Sequence, residues 1–515
     1  MTNIKYLLAH EDAKRLIKNL LAGPEHGHIG FMASSVDRDN YKRLFTRDAF
    51  WIGMAALLSG DADLISGFKN SLETLMNTQR KDGAIPSNVS ADGHISYGII
   101  NPRIDANTLY IIGCLEYYNR TNDAKTFEKF IPSIKKTIQY LEKTWECKKC
   151  GLLYIPRAGN WADEYLQRGF VLYDEVLWYI ALKKFGCYLR TLQDKRSGDY
   201  IQKSKKIKKL IKDKFWIKNS ITKKDNIYLK MRKKIDLEQS GYFMHFYYAN
   251  SRNDSSFSSS HGIFDAFGNA LAIVAGVASA RQAEKISRFI DEVSINRYPL
   301  IPAHYPFFSE SVFKSKKLYQ YRFKEYIGHY HNGGLWPWYT GIYVAAFAAL
   351  GDTERALKFL KGILNANLTE RDAMNYYEYH TGRSATARVK IVHPRGIDLY
   401  LSKILKDIAL SQKPTVQIKH DKNFVYIDDN ISLRSLGAKK GDTIEFTAFG
   451  PNAEDVLSGI SALKDKQNTR YFSKIDISSV ASHPDGTPYM GVSAAAYIIG
   501  YKTLSEKKSL FRDGV

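Results

Sequence analysis

The chain has 515 residues, 44% of them hydrophobic and 25% charged, which supplies a large packed core and excludes wholesale disorder. Lysine and arginine number 75 against 53 acids, a formal charge of +22, and an excess this large suggests either an anionic partner or a solvated cationic surface. The four cysteines are too few for a disulfide scaffold, the N-terminal residues interrupt each apolar run, and no stretch reaches 18 uncharged apolar residues. The expectation is therefore a cytoplasmic protein with neither signal peptide nor membrane span.

Along the chain two helix types alternate. Leu64, Ile65, Phe68, Leu72, Leu75 and Met76 recur on one face, which predicts an amphipathic helix, whereas 106–118 is apolar nearly all round and predicts a buried one. Ile131, Ile134, Ile138 and Leu141 mark another stripe, 175–189 is mostly apolar, and Ile207, Leu210, Ile211 and Phe215 stripe a very basic helix. The alternation continues with 264–279 against 281–293 and 337–350 against 353–364. Buried helices alternating with amphipathic ones imply an inner layer wrapped by an outer one, so the fold class is mainly α, a ring of helical hairpins, with a bundle or solenoid as the alternative.

The region 388–467 breaks the pattern. Residues 388–392, 414–421, 423–429 and 442–450 are rich in Val, Ile, Thr and Phe and predict strands; helices are predicted over 397–410 and 452–466, the second capped by Asn452. A buried helix returns at 491–504. This places a small α+β module at 386–469, inserted into a toroid made of 1–385 plus 470–515.

Polar residues cluster where buried helices begin: Arg47 and Asp48 before Trp51, Arg103 with Asp105, Trp161 with Asp163, His331 and Asn332 before Trp336, and Tyr377 with Glu378. Loops at one end of such a ring converge on its axis, where indole faces stack on sugar rings and charged groups fork onto hydroxyls. Glycoside hydrolysis needs two carboxyl groups, one protonated and one that activates water or attacks. Asp163, beside the apolar Trp161, suits the acid, and Glu378 suits the base.

These residues carry a family resemblance. TRDAFW (46–51), DGAIP (82–86), RIDANTLYI (103–111), NWADE (160–164), KFW (214–216), FDAFGNALAI (264–273), HNGGLWPW (331–338) and YYEYHTG (376–382) resemble, in order, the six-hairpin alpha/alpha-toroid glycosidases. The likeness is to amylo-alpha-1,6-glucosidase domains of glycogen debranching enzymes and to neutral/alkaline invertases. It implies an (alpha/alpha)6 barrel that hydrolyses a terminal glucoside, by inverting or alkaline-invertase-type chemistry and without metal or cofactor. It also implies Asp163 as general acid, Glu378 as second carboxylate, and substrate contacts from Arg47, Asp48, Trp51, Arg103, Asp105, Trp161, His331, Asn332, Trp336 and Tyr377. Aligned on Thr381-Gly382, the invertase glutamate falls at Asn375; aligned on the Glu-Tyr pair it falls at Glu378, the preferred reading. Alternatives are an invertase-like sucrose hydrolase and a weakened sugar-binding regulator.

The inserted stretch, with Gly396 to Leu401 and 435–463, is similar to the phosphocarrier protein HPr, but Asp398 stands where that family has its active histidine. The resemblance implies an open-faced sandwich with a protein-binding role, through which a protein partner docks, or a structural one, without phosphotransfer. Cys147-Lys148-Lys149-Cys150 offers two metal ligands at most and predicts a turn. The basic run 203–214 lacks interleaved aromatics and reads as a solvated outer face, so no nucleic acid and no membrane is expected as a partner, only a carbohydrate substrate.

Overall fold

The computed structural model describes residues 4–23, 30–38, 40–163, 168–217, 239–257, 262–294, 300–305, 307, 328–368, 374–412, 415–421, 423–427, 436–449, 453–473, 476–480 and 484–511. The capping residue expected at 452 lies outside them.

The helices are α1 (Ile4–Asn19), α2 (Thr46–Ser59), α3 (Ala62–Asn77), α4 (Ile104–Thr121), α5 (Ala124–Thr144), α6 (Leu172–Thr191), α7 (Ser197–Leu210), α8 (Ala266–Val274), α9 (Ala280–Val293), α10 (Pro337–Ala349), α11 (Thr353–Asn367), α12 (Leu399–Gln412), α13 (Ala453–Ser461) and α14 (Gly491–Ser505). Burial separates them into the two types that the apolar spacing predicts. Helices α2, α4, α6, α8, α10 and α14 are covered on nearly every face. Helices α3, α5, α9 and α11 bury one stripe only.

The covered helices contact one another in a cycle: α2 packs on α4, α4 on α6, α6 on α8, α8 on α10, α10 on α14, and α14 back on α2. Striped helices lie against them, α3 on α2, α5 on α4, α7 on α6, α11 on α10 and α1 on α14. The sequence reading did not separate α1 as a helix, because its buried stripe is only Ala9, His10, Ala13 and Ile17. Helix α8 is shorter than the expected 264–279. Phe264–Asp265 instead pairs as a strand with His304–Tyr305, and Gly276, at φ +66°, turns the chain after the helix.

The expected cysteine turn is present: the Cys150 amide donates to Cys147 Sγ at 3.4 Å, and Gly151 takes φ +84°. Among the described residues no group of three or more His, Cys, Asp or Glu could hold a metal ion, and no helix is long and apolar enough to cross a membrane. The basic run lies on α7 and the π-helical turn that follows it, Ile211–Phe215. Within it, Lys203 pairs with Glu142 at 2.7 Å and with Glu146.

The inserted module has its own hydrophobic cluster, running from Ala385 to Phe472 with Ile477 packed against it. Strands β1 (Ser384–Lys390), β2 (Thr415–His420), β3 (Asn423–Tyr426), β4 (Thr443–Phe449) and β5 (Asp476–Val480) form one antiparallel sheet in the order β3-β2-β4-β1-β5. The sheet therefore extends beyond 386–469 at both ends. Strand β5 escaped the sequence reading because Asp476-Ile477-Ser478-Ser479-Val480 is short and polar, as befits an edge strand. Asp398, at the position of the missing histidine, caps α12 by accepting from the Leu401 amide at 2.7 Å, and it pairs with Arg395 at 3.3 Å.

Helix α2 meets α3 at Gly53, where an added Cβ would lie 2.0 Å from the Phe68 ring. Gly53→Ala should lower stability by roughly 1–3 kcal/mol, read as a shift of the urea midpoint. An unchanged midpoint would show that this contact is looser than described.

Candidate active site

The buried helices start differently from the striped ones. Asp61, Asp123, Ser279 and Asp352 cap α3, α5, α9 and α11 with side-chain acceptors. Helices α2, α4, α6, α10 and α14 begin instead after Phe45, Arg103, Val171, Trp336 and Met490, all in extended backbone and without a side-chain cap. Acids in the first turns of α2, α4 and α6, namely Asp48, Asp105 and Asp174, sit at the positive end of the helix dipole. Side chains further along staple the preceding loops. Thr46 Oγ1 donates to the Pro86 carbonyl at 2.6 Å, Asn107 Oδ1 accepts from the Ile85 amide at 2.9 Å, and Asn269 binds both backbone groups of Phe243.

At the centre Arg47 Nε donates to Asp105 Oδ2 at 2.8 Å, and the Tyr173 hydroxyl reaches the same oxygen at 3.3 Å. Asp105 is wholly buried. Burial pushes the Asp48 carboxyl up to about 7; Arg47 opposes this, while Glu378 and Asp105 add to it. Burial also lifts the Asp174 carboxyl well above its ordinary range, with Asp105 adding to the effect. Asn160 Nδ2 donates to Asp174 at 2.9 Å, and Asn160 Oδ1 accepts from the Ala162 amide. This link holds the loop that carries Trp161 and Asp163.

Asp163 is paired with Arg103 Nη2 at 2.5 Å, and Arg103 also donates to the Ala158 carbonyl. The expectation that Trp161 desolvates Asp163 is corrected here. The indole packs on His331, Trp336, Trp338, Phe267 and Tyr339, while the Asp163 side chain keeps 28% exposure beside a guanidinium.

Glu378 is buried, with both carboxylate oxygens engaged: Oε1 accepts from the Tyr41 hydroxyl at 2.6 Å and Oε2 from the Thr487 amide at 3.2 Å. Burial, then the Glu378 charge, drives the Tyr41 phenol well above its ordinary range, so it remains a donor. The Tyr330 hydroxyl lies 3.3 Å from that of Tyr41.

An aromatic patch runs from Trp161, two residues before Asp163, to Tyr330, whose hydroxyl neighbours the Tyr41 that binds Glu378. Trp161 meets His331 edge-on at 5.0 Å between ring centroids, His331 stacks over Trp336, Tyr330 lies 4.1 Å from His331, and Tyr379 stacks on Trp336 at 5.5 Å. Asn332 Oδ1 accepts from His304 Nε2 at 3.2 Å; burial lowers His304 to about 3, which keeps that ring neutral. Trp51 lies deeper, fully buried against Phe50, Phe267 and Trp338. The indole N–H groups of Trp51, Trp161 and Trp338, with Asp105 Oδ1 and Asp174 Oδ1, are buried without a partner among the described residues.

The structure thus brings Arg47, Asp48, Arg103, Asp105, Trp161, Asp163, His331, Asn332, Trp336 and Glu378 into one neighbourhood. Tyr377 is half-buried and accepts from Ser493 Oγ through its carbonyl; the neighbouring ring that packs on Trp336 and Tyr330 is Tyr379. Sequence reasoning missed Tyr41, Tyr330, Tyr379, Asp174 and His304. Only Asp174 carried a signal, as a first-turn acid on an otherwise apolar helix.

Residues 14–231 match the family described as bacterial alpha-L-rhamnosidase 6 hairpin glycosidase domain, and 237–403 match the alkaline and neutral invertase family. The chain is a glycoside hydrolase. Residues 385–465 of the hydrolase match the PTS HPr component phosphorylation site family, although Asp398 holds the histidine position. No curated protein matches the chain. A solved wild-type glycosidase is 11% identical, with a TM-score of 0.52, covering 99% of this chain and 100% of that one. A second glycosidase structure, also 11% identical, has a TM-score of 0.52 and covers 98% and 99%. A bacterial glucoamylase complexed with acarbose is 17% identical, with a TM-score of 0.48, covering 70% and 49%. At these identities the likeness shows the fold alone.

The Asp48 carboxyl rises from an ordinary 3.8 to about 7 on folding, so the folded hydrolase binds its proton more tightly than the unfolded chain does. Its contribution to stability is therefore lost as pH rises from about 4 to about 7 and stays lost above. Asp48→Asn should gain on the wild type across that window, by up to about 4 kcal/mol, in urea titrations at pH 5 and pH 8. Parallel pH profiles for the two proteins would refute this.

Proposed function

We propose that the hydrolase is a six-hairpin (alpha/alpha)6 toroid that cleaves a terminal glucosyl linkage of an alpha-glucan or small glucoside with inversion. The observation that supports the reading is a buried aromatic patch between the loop of Trp161 and Asp163 and the surroundings of Glu378, with buried polar atoms that have no partner among the described residues. Sugar hydroxyls suit those atoms, donors and acceptors alike, and the ring's apolar face suits the indoles.

In this reading Asp163 is the general acid. Arg103 orients it, and the leaving oxygen takes the guanidinium's place when a protonated Asp163 delivers its proton. Glu378 is the base. The Tyr41 hydroxyl and the Thr487 amide both donate to its carboxylate and orient it towards the water it would activate. Arg47 and Asp48 fork onto hydroxyls of the sugar that loses its aglycone. The site residues are this chain's own, and no cofactor enters the chemistry proposed.

A second reading, sucrose as substrate, is favoured by the invertase match over 237–403, which includes His331, Trp336 and Glu378. Glucose release from sucrose, maltooligosaccharides and branched dextrin separates the two. The glucan reading expects turnover of the latter pair and little of sucrose. Asp163→Asn and Glu378→Gln should each lose about 10²–10⁴-fold in kcat, while Tyr41→Phe should lose less. Undiminished turnover by Asp163→Asn would sink the assignment, and ligand-induced thermal shifts without product would favour a sugar-binding regulator.

A further inference from the structure

The inserted module is tied to the ring by paired strands next to Glu378's partner segment. Its first strand follows directly on the segment that carries Glu378, and its last strand leads directly into the segment that binds Glu378. Tyr379 faces Asp485 and His380 faces Pro484 in one antiparallel ladder. Further out, Ser384 faces Val480 and Arg388 faces Asp476 in the module's sheet. The two ladders keep a single register, with no residue gained or lost between them. They are the outer and inner parts of a ribbon and lie in the module's sheet and at the candidate base.

The inner end grips Glu378 closely. The Glu378 amide donates to the Thr487 carbonyl at 2.9 Å, and the Thr487 amide returns a bond to Glu378 Oε2. Gly486, at φ +74°, lies so near that an added Cβ would stand 2.6 Å from Oε2. Arg38 Nη1 holds the Gly486 carbonyl at 3.2 Å, and the Tyr379 hydroxyl donates to Asp485 at 2.9 Å. The outer end is clamped as well. Glu454, in the first turn of α13, pairs with Arg383 at 2.7 Å and accepts from Ser479 Oγ, joining both ribbon strands to the module's helix.

We infer that the module is a positioning element for the base: through this ribbon its return strand, Asp485-Gly486-Thr487, fixes the Glu378 carboxylate. The inference rests on Glu378 being the base. Strands paired in one register couple the module's sheet to the segment that binds Glu378, and a displacement of about 1 Å at a reacting group costs on the order of 10²-fold in rate. Asp485, Gly486 and Thr487 are positioning residues, and none of them is assigned a proton transfer.

The test uses full-length variants and the best substrate of the panel. Gly486→Ala should lower kcat by about 10²-fold with KM within twofold, because the sugar's contacts lie on other elements. Glu454→Gln, distant from the pocket, should lower kcat several-fold with KM unchanged. Gly459→Ala, on the same module helix with open space at its Cβ, should leave both constants unchanged. If Gly486→Ala fails to fold, Glu454→Gln decides alone: kcat at wild-type level overturns the inference, as does a rise in KM that matches the fall in kcat. Glu378→Gln separates the two levels of argument. If it retains activity, the assignment of the base is wrong; if it is inactive while Gly486→Ala and Glu454→Gln keep wild-type kcat, only the positioning role is wrong.

Discussion

The ion pair between Arg47 and Asp105 is the constraint on which the site depends. Burying either charge alone would cost several kcal/mol, and a pair of this kind is rarely a net gain in stability over well-packed apolar residues. Here the guanidinium stands among Asp105, Asp48 and Asp163, and it offsets carboxylates that would otherwise repel one another. Even so, Asp48 is pushed up to about 7 and Asp174 well above its ordinary range. A buried cluster in which two carboxyls are pushed up this way fits a binding and catalytic surface better than a structural one.

The helix arrangement explains why these groups can be held there. Helices α2, α4, α6, α10 and α14 start without side-chain caps, and the dipoles of α2, α4 and α6 favour the acids in their first turns. The striped helices outside carry the caps and most of the lysines of the 203–214 run. The large positive charge of the chain and the acidic character of the site therefore occupy different layers. That division weakens the case for an anionic partner raised by the composition alone.

Much of this was legible in the sequence, for physical reasons. Inner helices such as α4 and α10 must be apolar on every face, whereas α5 and α9 need only a stripe, so their spacing separated them. Polar groups at the starts of buried helices stood out against apolar surroundings, which exposed Arg47, Asp105 and the His331 loop. What stayed hidden depends on long-range contact. Arg103 bonds Asp163 across 60 positions and Tyr41 bonds Glu378 across 337, and no local periodicity reports either. Tyr379 was overlooked in favour of Tyr377 because loop aromatics carry no face assignment. The module's edges were misjudged because Ser384-Ala385-Thr386 and the β5 residues are too polar to read as strands.

In the proposed account Asp163 is the acid, Glu378 the water-activating base, and the sugar lies against the neighbouring indoles. Its central claim is that Glu378 directs a water onto the face opposite Asp163, which is a statement about stereochemistry. Proton NMR of the first product formed from an α-glucoside, recorded before mutarotation, tests it most directly. The account predicts that β-glucose appears first; α-glucose as the initial product would contradict it.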